Sequence, residues 1–330
     1  MVSGCRCAFD HPSHGYTFVV ERLNMNVDYG KHMMVWKIKD LYNGDAEHAA
    51  EQAFNAGISV VNVKFLDGTQ PYNQRPIYDK TGKFKGYEDD VLLPWCNAFK
   101  MRNIKVYGWH YVYHGYPRIE AERAIERCQY LGLDAYVIDA EAEAKVVPDS
   151  AVDAFVEPLT DGIVVNGKEI PIYLSSYRYP KWHPQIRYTK YFSVCDGVMP
   201  QVYWEQSTKS GEQLIRSFNE YHSEFAWDTW FSSNDWFVPI ASTYSRGSWV
   251  PTVAQVANFC EVARMLNLKA IEFYRWGTAL DLIGVWEYIS NLDFGGVPEQ
   301  DTVPVDTFVV DYVHPWMKEK WGYNGPEPTK

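Results

Sequence analysis

The chain has 330 residues, 46% of them hydrophobic, enough for one large α/β domain or two small ones around a sizeable core. Its 31 Lys and Arg against 42 Asp and Glu leave a formal charge of −11, which gives no electrostatic reason to bind nucleic acid and no gain at an anionic membrane or a polyanionic cell wall. No stretch approaches the roughly eighteen apolar residues that a membrane span needs, and the first thirty residues hold no apolar core of signal-peptide type.

The six cysteines are Cys5, Cys7, Cys96, Cys128, Cys195 and Cys260. Cys5 and Cys7 form a C-x-C without a neighbouring His or Cys, and the other four are widely separated, inside or beside expected elements, as buried thiols usually are. The expectation is synthesis in a reducing cytoplasm, with action at the cell wall after release or as part of a virion. No metal and no cofactor is expected.

Strand-like and helix-like runs alternate along the chain. The spacing predicts strands over 32–38, 59–65, 105–111, 135–139, 170–174, 197–203, 237–242 and 269–274. It predicts helices over 46–55, 88–101, 119–131, 150–159, 185–191, 212–225, 253–266 and 282–291. The first helix has Asp45 as N-cap and Gly57 as its stop, and Pro251-Thr252 marks the start of the seventh. Eight βα units over 260 residues predict a (β/α)8 barrel. An open doubly wound sheet is the alternative, but its Gly-rich phosphate turn is missing after the first strand, which reads K-I-K-D-L-Y-N-G-D. The expected organisation is an N-terminal extension over 1–31, the barrel over 32–292 and a tail over 293–330. The tail starts as a Pro-containing linker and carries an aromatic patch over 308–321, which either packs on the barrel or takes a protein partner.

In such a barrel the chemistry sits where the strands end. The fourth strand runs into Y-V-I-D-A-E-A-E-A-K, placing Asp139, Glu141 and Glu143 two residues apart, on one face for as long as the chain stays extended. A solvated strand end is the plain explanation of such a run. The small spacers Ala140 and Ala142 at the end of an apolar strand point instead to paired carboxylates, one protonated and one ionised, as glycoside hydrolysis requires. Lys64, at the end of the second strand, needs an anion, and the acidic triplet is the expected one. Other strand ends contribute Trp109, His110 and Tyr111, then Tyr173, then Gln201, Tyr203, Trp204 and Glu205, and finally Glu272 and Trp276. With aromatics at 16% of the chain, these ends predict sugar-stacking surfaces at Trp109, Tyr111, Trp204 and Trp276. No phosphate cradle, H-E-x-x-H zinc pair or G-x-S-x-G elbow is present.

These ends resemble the family 25 glycoside hydrolases, the lysozyme-type muramidases of bacteria and phages. V-K-F-L-D-G is similar to that family's second strand, G-W-H-Y to its third, Asp139-Ala140-Glu141 to its fourth and P-I-Y-L-S-S to its fifth. The first strand departs, reading V-W-K-I-K-D in place of G-x-D-x-S, and the eighth reads A-I-E-F-Y-R-W. A second resemblance is to the family 18 chitinases, through Asp139-x-Glu141-x-Glu143, M-P-Q-V-Y and Trp276. The first resemblance implies Glu141 as general acid and the second Glu143, with the substrate's acetamido group as nucleophile. Both imply hydrolysis of a β-1,4-linked N-acetylhexosamine polymer, with peptidoglycan the expected polysaccharide. The alternative from a different class is a non-catalytic carbohydrate-binding or structural protein of a virion or cell surface, built on a glycosidase-like barrel.

Overall fold

The computed structural model describes residues 28–74, 76–87, 91–225 and 234–294. Eight parallel strands form the centre: β1 (Gly30–Val35), β2 (Ile58–Asp67), β3 (Lys105–Tyr111), β4 (Ala135–Asp139), β5 (Ile172–Tyr177), β6 (Gly197–Val202), β7 (Ile240–Ser242) and β8 (Ala270–Tyr274). Each pairs with its sequence neighbour, and β1 pairs with both β2 and β8, so the sheet closes into the expected (β/α)8 barrel.

Each strand returns to the next through helix. The crossovers carry α1 (Ala46–Asn55), α2 (Leu92–Lys100), α3 (Pro117–Leu131), α4 (Asp149–Val156), α5 (Tyr188–Phe192), α6 (Ser210–Phe225) and α7 (Val253–Met265). After β8 come α8 (Trp276–Asp281), which the sequence pattern did not reveal, and α9 (Val285–Asn291). The Asp45 carboxylate caps α1 by accepting from the His48 N–H at 3.0 Å. Thr252 and Gln255 form a reciprocal capping box at α7.

Strand alternation sorts the core into two layers. Residues facing inward, among them Met34, Val60, Tyr107, Val137, Met199 and Ile240, fill the barrel. Those facing outward, such as Val61, Ile138 and Leu174, pack under the helices. β7 is shorter than expected because Pro239 has no N–H to donate. The ladder breaks there, leaving Phe237 with a single bridge to Val198. Most of the expected N-terminal extension and of the tail, including the patch over 308–321, lies outside the described residues. Among the described residues no helix is long and apolar enough to cross a membrane.

Candidate active site

The strand ends open into one cleft of about 810 Å³. Four carboxylates line it: Asp67, Asp139, Glu141 and Glu205. Two of them are held by cations. Lys64 Nζ lies 2.8 Å from Asp67 Oδ1, and Arg246 Nη1 lies 2.8 Å from Glu205 Oε2, with the Tyr244 hydroxyl also donating to Glu205. Lys64 therefore takes a different partner from the expected triplet, because Asp67 follows it by three residues at the end of the same strand. Its ammonium also lies 4.4 Å from the Tyr72 ring and 4.9 Å from that of Trp109.

Among the described residues, Asp139 and Glu141 form no ion pair. They share a donor: Gln201 Nε2 lies 2.8 Å from Asp139 Oδ1 and 2.8 Å from Glu141 Oε1. The two oxygens thus lie within twice that distance of each other. Burial pushes the Asp139 carboxyl well above the usual carboxylate range, and the Glu141 charge adds to the shift; the Lys64 charge and hydrogen bonds from Ser175 and Gln201 oppose it. Glu141 is raised too, by burial first and by the Glu143 charge, against the Gln201 hydrogen bond. Both shifts favour the protonated form, the state a general acid requires.

Glu143 parts from the other two. The extended chain ends at Asp139, and Glu143 opens a short 3-10 turn, so the two-residue alternation no longer applies. Its Oε2 accepts from the Tyr111 hydroxyl at 2.5 Å, and it does not line the cleft.

The aromatic side chains divide by strand face. Trp109, Tyr111 and Tyr203 line the cleft. Trp109 is 4% exposed, with its Nε1 donating to the Val35 carbonyl, so it forms floor rather than an open platform. Trp204 follows Tyr203 and so faces outward, fully buried 5.4 Å from the Phe259 ring. Trp276 belongs to α8 and packs between Tyr42, Phe99 and Trp286. Neither indole can stack on a bound sugar, contrary to expectation.

Three further expected contacts also lie off the cleft. His110 points away from the barrel axis, with Nδ1 2.9 Å from the Tyr136 hydroxyl and Nε2 2.8 Å from the Gly68 carbonyl. Burial lowers its pKa to about 3, so it is neutral. Tyr173 lies inside the barrel below the floor, stacked on Tyr107. Glu272 lies fully buried opposite His32, with Asn62 Nδ2 3.4 Å away, and burial pushes its pKa up to about 8.

The structure adds cleft residues outside the expected set. Trp36 follows the end of β1 and Tyr274 ends β8, and their inward parity was readable from the strands. Tyr177, Arg178, Tyr179, Trp182 and His183 come from the end of β5 and the loop after it, where no periodic signal exists.

No family model and no curated protein sequence matches this chain. Solved structures do. A chitinase from Chromobacterium violaceum ATCC 12472 superposes with a TM-score of 0.54 at 11% identity, over 79% of this chain and 98% of the chitinase. The spore cortex-lytic enzyme SleL of Bacillus megaterium QM B1551 gives 0.52 at 8% identity, over 88% of this chain and 80% of SleL. The endo-1,4-beta-D-mannanase of Thermotoga petrophila RKU-1 gives 0.53 at 11% identity, over 80% and 100%. At such identities the likeness is one of fold, and it agrees with the closed eight-stranded barrel described above.

Proposed function

We propose that this chain is a glycoside hydrolase that cleaves β-1,4 bonds of an N-acetylhexosamine polymer, with peptidoglycan as the substrate. The observation that carries the reading is the division of the cleft carboxylates: two are bound to cations, while two share the Gln201 amide. Glu141 is the general acid for the glycosidic oxygen. Glu143, turned away into the 3-10 segment, is not.

Asp139, the last residue of β4, and Glu141 just after it approach a sugar from one side. The carboxylates lining the other parts of the cleft are engaged with Lys64 and Arg246, so no free protein nucleophile faces the anomeric carbon. A substrate that carries its own nucleophile, the carbonyl oxygen of a 2-acetamido group, fits this arrangement. Asp139 then accepts from the acetamido N–H and holds its carbonyl oxygen towards the anomeric carbon. The chitinase and the spore cortex-lytic enzyme among the structural neighbours support an aminosugar substrate.

The reading is tested by paired substrates. Oligomers with 2-acetamido groups should be cleaved with retention at the anomeric centre, and 2-hydroxyl analogues should not be cleaved. Equal cleavage of both would remove the acetamido group from the mechanism.

A further inference from the structure

The cleft cations fall into two kinds. Lys64 and Arg246 are paired within the cleft. At the end built by the β5–α5 loop, Arg178 lines the cleft without an ion-pair partner among the described residues; Lys145, which does not line the cleft, also has none, although its charge acts on Glu141. Lys145 Nζ sits 3.8 Å from the Tyr177 ring, whose other neighbour is the His183 ring at 3.9 Å between centroids. The Arg178 guanidinium lies 5.0 Å from the Tyr179 ring. Burial lowers the His183 pKa, and the charges of Lys145 and Arg178 lower it further, as a tight basic cluster requires.

Beside this cluster stands Trp182, 57% exposed and lining the cleft. Arg216 braces it, with the guanidinium 4.3 Å from the indole and 4.1 Å from Tyr179, and is itself tied to Glu220 at 2.8 Å. An open indole held in place suits the C–H face of a sugar ring. A half-buried guanidinium without a carboxylate lacks the bidentate acceptor it is shaped for.

We infer that this end of the cleft is a subsite for a carboxylate-bearing sugar: Trp182 supports the ring and Arg178 receives the carboxylate, with the charge of the nearby Lys145 adding to the attraction. The inference rests on the glycosidase reading and sharpens it by naming the group of the substrate that this end of the cleft recognises. Two sources in peptidoglycan present that group, the ether-linked lactyl acid of the sugar and the carboxylates of its peptide stem.

The test separates binding from turnover. In a Glu141→Gln background of the full chain, affinity is measured by calorimetry for soluble glycan fragments in three forms: intact, stripped of peptide, and with all carboxylates amidated. Amidation is expected to weaken binding about tenfold, the worth of one charge-assisted contact at a partly exposed site. Retained affinity of the peptide-stripped form assigns the contact to the lactyl acid, and its loss assigns it to the stem. Adding Arg178→Gln with Lys145→Gln should bring the ratio of intact to amidated affinity to unity, and Arg178→Gln alone is the milder variant if the pair does not fold. Equal affinity for intact and amidated fragments, a ratio that survives the substitutions, or no binding of any form would overturn the subsite. A parent chain that prefers the carboxylated fragments yet turns over none of them would overturn the glycosidase reading and leave the subsite standing.

Discussion

Nε2 of Gln201 donates to two carboxylates that burial pushes towards the protonated form. Gln201→Ala removes a hydrogen bond that favours the charged forms, so both carboxyls rise further. The alkaline limb of the pH–rate profile should shift to higher pH and kcat should fall about 10- to 100-fold, as the acid is no longer positioned; an unmoved limb would argue against the shared donor. Glu272 makes a separate, stability-based prediction. Its carboxyl has a folded pKa of about 8 against an ordinary 4.5, so above the ordinary value the unfolded chain ionises while the folded one stays protonated. Its contribution is fully present below the ordinary value and is lost as pH rises towards the folded one, at about 1.4 kcal/mol per unit. Glu272→Gln should therefore gain on the parent in Tm as pH rises from about 5 to about 8. A constant difference across that range would contradict the assignment. The acidic run was legible because its spacing repeats that of the strand before it. Trp204 and His110 were misplaced because each follows a true cleft residue, and a strand cannot aim neighbours at the same side.

At the scale of elements, the hydrophobic period and the caps carried most of the information. β3, β4 and α1 run over the residues expected from the sequence, since buried parallel strands read as continuous apolar runs and α1 has a capping Asp45. The β5–α5 loop was not legible, because its aromatic residues occupy no repeating face. Gly197, at the start of β6, shows how closely the elements pack. A Cβ there would lie 2.5 Å from the Trp236 carbonyl oxygen, a backbone atom that cannot rotate aside. Gly197→Ala should cost about 1–3 kcal/mol of stability. Thr252→Ala, which breaks the α7 capping box, should cost about 1 kcal/mol. Denaturant titration reads both, and a neutral Gly197→Ala would mean that β6 can move away from Trp236.

For the whole molecule, the closed barrel gathers side chains from distant parts of the sequence into one cleft, and this long-range arrangement is what sequence spacing alone could not rank. It brings Gln201 of β6 to Asp139 of β4 and sends Glu143 aside. It also leaves an acidic protein with a local basic end to its cleft, which net charge conceals. The most direct measurement of the central claim is the release of reducing ends from purified peptidoglycan and from chitin oligomers by the parent, Glu141→Gln and Glu143→Gln. The account predicts turnover by the parent, a loss of about 10²- to 10⁴-fold for Glu141→Gln and a much smaller loss for Glu143→Gln. A parent that releases no reducing ends from either polymer, or a Glu141→Gln variant as fast as the parent, would contradict it.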